Sequence, residues 1–313
     1  MVNLFAYFFI SLISLIALSV IVTVLITQKI KRSIPKFGKI TTLKDAEIHW
    51  YETGHGRPII MLHGLAGNLR NFTYALTDKL NQDFRVIAVD RAGCGWSKRS
   101  RPESATLNEQ ARIISEFIKK EKIEKPLIVG HSLGGAIALT LALEHKTKIS
   151  GLALICPATQ MIDDIPDIFR FLNISNKWLR LFLAYTLSSL IGILTREESF
   201  KTAFAPEPVC DNFAVKGGGD FALSSKSFIK TSEDLIFAMS SAPSVVGREK
   251  ELKLPIGVLF GEDDEILDAK LHGEKFSELT GAELKILPNK GHMLPLTEPE
   301  ECAEFIHGIM KKI

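Results

Sequence analysis

The sequence predicts a doubly wound, mostly parallel α/β sheet with a helical cap insertion, tethered by an N-terminal transmembrane helix. Three observations carry this. Short apolar runs alternate with amphipathic stretches from about Ile40 onward. The alternation stops at residue 159 and resumes near residue 248. Ahead of it lies an uncharged apolar run of bilayer length.

The N-terminal run comes first in the chain. Leu4 to Ile26 holds no charged residue, and sixteen of its 23 residues are Leu, Ile, Val or Phe. As a helix it measures about 34 Å, slightly more than a ~30 Å hydrocarbon core. No Lys or Arg precedes it and no small-x-small cleavage site follows, which separates it from a cleaved signal peptide. Ser11, Ser14, Ser19 and Thr23 can return hydrogen bonds to their own helix. Residues 1–28 are therefore expected to form a single-pass anchor and residues 29–44 a basic linker. Lys29, Lys31, Arg32, Lys36 and Lys39 all follow the helix, so the positive-inside rule puts the remaining domain on the cytoplasmic side.

The sheet core is expected from residues 45–158 and 248–313. Ile59–Leu62, Val86–Val89, Leu127–Val129 and Leu152–Ile155 are continuous apolar runs, which suit strands buried on both faces. Helical patterns separate them at Asn71–Leu80, Leu107–Lys120 and Gly134–His145. A strand at Ile256–Phe260, a helix around Ala269–Leu279, a strand at Glu283–Leu287 and a final helix from Glu298 complete the order. Residues 159–247 are helical in pattern, rich in Phe and Leu, and read as a cap over the strand ends. Within them Trp178–Leu194 is apolar apart from Arg180. It is short for a span and carries a charge, which suits a cap helix able to rest on a membrane.

Composition narrows the function. A net charge of +2 gives no electrostatic reason for a nucleic-acid partner. The four cysteines, Cys94, Cys156, Cys210 and Cys302, are scattered without CxxC spacing or a histidine cluster. Neither a disulfide framework nor a structural metal site is expected, and a reducing compartment is compatible. No cofactor motif is present.

The chemistry concentrates at three strand ends. Leu127-Ile128-Val129-Gly130-His131-Ser132-Leu133-Gly134-Gly135 is a buried strand running into G-x-S-x-G and then a helix. In that context the serine occupies a tight strained turn that lifts its hydroxyl above the sheet, making Ser132 the candidate nucleophile. A serine hydroxyl needs a base. Of eight histidines, His292 stands in a loop after the last strand, where functional histidines concentrate, and the others fall at blander positions. A carboxylate must then fix the tautomer of His292. Gly261-Glu262-Asp263-Asp264-Glu265 supplies the acids, in the chain order Ser, acid, His. The backbone N–H groups of Leu65, after His63-Gly64, and of Leu133 are the natural oxyanion pair.

These motifs together resemble the α/β-hydrolase superfamily across essentially residues 45–312. The matching positions are His63-Gly64, Asp90-Arg91-Ala92-Gly93-Cys94-Gly95-Trp96-Ser97, the Gly-His-Ser-Leu-Gly-Gly elbow, Phe260-Gly261-Glu262-Asp263-Asp264, and Gly291-His292. Ala92 stands where the family usually has proline, and Cys94 is also unusual. The resemblance implies an acid three residues after the strand-end glycine, which selects Asp264, with Asp263 as the fallback. The N-terminal span and Gly-x-x-Asp-x-x-Leu-Asp ahead of Gly-His are similar to membrane-anchored monoacylglycerol-lipase-like members.

The expected function is hydrolysis of a lipophilic or lipid carboxylic ester through an acyl-enzyme, with membrane contact through the N-terminal helix. C–C bond hydrolysis and perhydrolysis use the same triad. A non-catalytic ligand-binding member would typically lack one triad residue, and all three are present. Epoxide hydrolases and haloalkane dehalogenases place aspartate where Ser132 stands.

Overall fold

The computed structural model describes residues 2–145, 147–161, 165–239 and 245–313. Nine strands form one sheet: β1 (Lys39–Thr42), β2 (Ala46–Thr53), β3 (Arg57–Leu62), β4 (Phe84–Val89), β5 (Lys98–Arg99), β6 (Leu127–His131), β7 (Gly151–Ile155), β8 (Ile256–Gly261) and β9 (Glu283–Leu287). Their order is β1-β2-β4-β3-β6-β7-β8-β9, with β5 paired to β2. From β4 to β9 every pairing is parallel, whereas β2 runs antiparallel to β1, β4 and β5. The central strands β6, β7 and β8 are buried along their whole length, as continuous apolar runs between two helical layers must be. The apolar-run criterion does not reach β1, β2 and β5. In β2 the run is broken by Glu47, His49 and Glu52.

Helix α1 (Val2–Ser33) is long and apolar enough to cross a membrane. Helix α2 (Leu107–Lys120) starts where Thr106 Oγ1 accepts from the Glu109 N–H, and it buries a single apolar face. Helix α3 (Leu133–Glu144) is apolar around its circumference and largely buried.

Between β7 and β8 the described residues form helices and no strand. Helices α4 (Lys177–Thr186) and α5 (Ser188–Phe204) meet at a 74° bend, and α6 (Ser225–Met239) packs across α4. Asn176 caps α4 by accepting from the Trp178 and Leu179 N–H groups. Leu172, Ala184, Phe228, Ile229 and Leu235 give this layer its own small core. Helix α7 (Pro299–Met310) returns to cover the sheet.

The segment 29–44, expected as a basic linker, contains the end of α1 and strand β1. Helix α1 continues to Ser33 and Lys39–Thr42 pairs with β2. The physical reason is local burial: Ile30 and Ile34, one turn apart, pack with Phe221 and Leu223 of the cap. Arg70 adds a hydrogen bond to the Pro35 carbonyl and lies over the Phe37 ring.

The cap is fastened to the core by buried ions. Asp234 of α6 takes hydrogen bonds from Arg91 and Arg99, and Arg99 also binds Glu233 at 2.9 Å. All these side chains are almost fully enclosed. Burial raises the Asp234 pKa, but the charges of Arg99 and Arg91 and their hydrogen bonds outweigh it, leaving the carboxyl below its ordinary value.

Candidate active site

The structure gathers the sequence-predicted residues at the carboxyl ends of β3, β6 and β8 and in the loop after β9. Ser132 leaves β6 with φ +54° and ψ −122°, a conformation that side chains rarely adopt. The turn closes only around small residues. A Cβ on Gly134 would lie 2.0 Å from the Leu62 carbonyl oxygen, and one on Gly130 would lie 2.7 Å from that of Gly134. Of the seven described non-glycine residues with positive φ, Ala66, Ser132 and Cys156 all lie around this site, where stored strain is commonest.

Asp264 and His292 are joined directly. His292 Nδ1 donates to Asp264 Oδ2 at 2.7 Å, while Asp264 Oδ1 accepts from the Ile266 and Leu267 N–H groups, each at 2.9 Å. The Asp264 side chain is fully enclosed, whereas Asp263 is exposed. Burial raises the Asp264 pKa; the His292 charge and hydrogen bond, then the two backbone donors, overcome it and hold the carboxyl below its usual range. Of the two acids, Asp264 is therefore the one in contact with His292. Ser132 Oγ makes no hydrogen bond among the described residues. Nucleophile–base contacts commonly tighten only in the substrate complex.

Leu65 and Leu133 flank the serine, both half-buried, and neither backbone N–H donates to a described group. A Cβ on Gly64 would come within 2.8 Å of Ser132 Cβ, which puts this loop against the elbow. The Gly64 carbonyl accepts from Arg91 Nη2 at 3.0 Å and from His63 Nδ1 at 2.9 Å. In a trans peptide the N–H points opposite to the carbonyl, so these bonds fix the direction of the Leu65 N–H.

Cys156 Sγ, Asp264 and His292 offer donor atoms within 4.8 Å of one another, a spacing that could hold a metal ion. Their chemistry argues against it. Asp264 and His292 satisfy each other, and burial pushes the Cys156 thiol well above its ordinary value, opposite to a metal thiolate.

With this geometry in place, sequence comparison is decisive: a family described as alpha/beta hydrolase fold matches residues 57–299. The chain belongs to the α/β-hydrolase fold family. It is similar to the Monoacylglycerol lipase abhd6-A of Xenopus laevis, 23% identical over 271 residues that cover 83% of this chain and 79% of that protein. A thermophilic esterase from Thermogutta terrifontis has the same fold, with a TM-score of 0.70 and 19% identity over 88% of this chain and 99% of its own. A bacterial membrane phospholipase A aligns over 99% of this chain and 97% of its own, with a TM-score of 0.70 and 19% identity.

Three residues support this hydrolase-fold site through contacts that sequence reading does not reveal. Arg91, fully buried, binds the carbonyls of His63 and Gly64 and the cap's Asp234 together. Glu207, just after α5, accepts from the Gly291 N–H at 2.6 Å, next to His292. His131 Nε2 donates to the His292 carbonyl at 3.0 Å. Burial, then the neighbouring His292 charge, depresses the His131 pKa to about 3, so the ring stays neutral. The Asp-Arg pair at 90–91 was legible as a motif, but the contacts of Arg91 with Asp234, 143 residues away, and with His63 and Gly64, 28 and 27 residues away, depend on the folded cap and loop. Only the motif signals Arg91; Glu207 has no local signature.

Proposed function

We propose that this protein hydrolyses carboxylic esters of lipophilic alcohols or acids through an acyl-enzyme. Ser132 Oγ attacks the carbonyl carbon while His292 Nε2 takes its proton. Asp264 holds the imidazole through Nδ1–H and stabilises the cation. The Leu65 and Leu133 N–H groups donate to the developing oxyanion, each such donor typically worth about 3 kcal/mol. His292 then protonates the leaving alkoxide, and water repeats the sequence to release the acid and restore Ser132. The observation that carries the reading is the 2.7 Å Asp264–His292 bond beside a serine held in a strained elbow.

A lipophilic substrate is favoured by the cap. Leu65 packs into the cap's apolar cluster with Leu172 and Phe228, so the candidate oxyanion loop is roofed by hydrocarbon. Relatives named monoacylglycerol lipase support the same direction. We place the chain in a membrane as a single-pass protein anchored by α1. The five basic residues from Lys29 to Lys39 favour a cytoplasmic catalytic domain.

A p-nitrophenyl ester series below micelle-forming concentrations tests this reading. Each methylene buried in an acyl site contributes roughly 0.8 kcal/mol, so kcat/KM is expected to rise several-fold or more from acetyl to medium chains. A profile that peaks at acetate and falls with length would contradict a lipid ester as substrate.

A further inference from the structure

We infer that the bent helix pair α4–α5 is embedded in the lipid leaflet from which α1 emerges, its bend lying about 5–10 Å below the hydrocarbon boundary. The depth follows from two hydrogen bonds. Ser19 Oγ and Thr23 Oγ1 both donate to the Thr186 carbonyl at the bend. The apolar run of α1 ends at Ile26, before Thr27, Gln28 and the first charge at Lys29. Thr23 lies about 4.5 Å along the helix from Ile26, and Ser19 about 10 Å, at 1.5 Å per residue. An anchor that places Ile26 at the boundary therefore carries Thr186 inside the hydrocarbon.

The side chains agree. Between Lys177 and Arg196 the only charged residue is Arg180. Arg180 is turned into the protein, donating to the Ile174 carbonyl at 2.9 Å with Glu233 at 3.8 Å. Trp178, Phe182, Tyr185, Ile191 and Leu194 face outward, Trp178 at 76% and Leu194 at 85% exposure. One stripe of α1, with Ser19 half-buried and Thr23 and Ile30 buried, packs on the cap. The outward apolar face of the pair is thus continuous with the lipid-facing surface of α1. In water, so large an apolar patch would be a liability. Lys177 and Arg196 bracket the apolar stretch, as charged residues at a headgroup boundary do. The inference rests on α1 crossing a bilayer and is independent of the catalytic assignment.

The test uses the full chain in phosphatidylcholine vesicles, with acyl chains unmodified or brominated in their upper segment. Subtracting the emission of a Trp178→Phe variant isolates Trp178 from Trp50 and Trp96. Brominated chains are expected to remove about half or more of the Trp178 emission, while aqueous acrylamide barely reaches it. Strong quenching by acrylamide with none by bromine would put the hairpin in water and overturn the inference. Shielding from both quenchers would also overturn it, in favour of a second copy covering the face. Alkaline carbonate extraction of the same vesicles reads the anchor separately, and release of the chain into the supernatant would remove the premise. Ester turnover in those samples reads the catalytic proposal on its own.

Discussion

The sheet core and the cap hairpin are both apolar in sequence, yet they use that composition in opposite ways. Among the described residues, the core segments 35–160 and 245–313 expose only Val246 and Leu279 as large hydrophobic side chains. The hairpin 177–204 exposes nine. In the core, apolar side chains turn inward from both faces of the sheet and polar residues meet solvent. In the hairpin, Leu181, Leu183 and Ala184 turn toward the cap's own cluster while Trp178 and Phe182 turn away from it. Composition alone is therefore no guide to which solvent an apolar face meets; that depends on what the fold places beside it.

The comparison is sharpened first at the candidate catalytic loop, which carries His292. Replacing His292 with Ala is expected to lower kcat by on the order of 10⁴ or more, because nothing else can take the Ser132 proton. Asp264→Asn should follow at roughly 10³–10⁴, through loss of the correct imidazole tautomer. Asp263→Asn, on an exposed side chain, should change kcat by less than about twofold. A larger loss for Asp263 than for Asp264 in steady-state assays would break the assignment.

Next comes the junction of core and cap. Asp234→Ala leaves Arg91 and Arg99 without their shared carboxylate in a fully buried setting. A loss of about 3–5 kcal/mol is expected in denaturant unfolding, since an unpaired buried charge is costly. Glu207→Gln keeps the size but weakens the acceptor for Gly291 N–H. It is expected to lower kcat about tenfold with KM little changed, as a loop that positions His292 loosens. An unchanged kcat would mean the cap does not help hold that loop.

The most diffuse effect is spread across the core. Burial is the leading cause that depresses His63 and His131 to about 3 and His272 to about 4. An unfolded histidine titrates near 6.5, so between these values the unfolded chain binds more protons and stability rises with pH. Stability is full above about pH 6.5 and is expected to decline by up to about 2 kcal/mol per histidine at pH 5. Unfolding midpoints that stay flat from pH 7 to 5 would contradict neutral burial of these rings.

Much of this was legible before the fold. The strands β3, β4, β6, β7 and β8 announce themselves through continuous apolar runs, which burial on both faces demands. The boundaries of α2, Leu107 and Lys120, follow from its single apolar face. The antiparallel edge was not legible, because β2 alternates and contains His49, whose Nδ1 pairs with Asp90 at 2.7 Å inside the protein. A buried His–Asp pair of this kind looks the same in sequence as the candidate catalytic one. Its surroundings differ: Asp90 also binds the Leu69 and Trp96 N–H groups, and so ties the edge of the sheet to neighbouring loops. The resemblance selected Asp264 over Asp263, and the contact with His292 adds the physical reason. Arg91 and Glu207 depend on partners far along the chain, which no local pattern encodes.

The most direct test of the account is labelling by a fluorophosphonate probe, which reacts only with an activated serine. The intact chain is expected to label stoichiometrically, Ser132→Ala not at all, and His292→Ala only very slowly, with all three folded alike by circular dichroism. Labelling that survives in Ser132→Ala would remove Ser132 as the nucleophile, and an intact chain that never labels would contradict the catalytic reading itself.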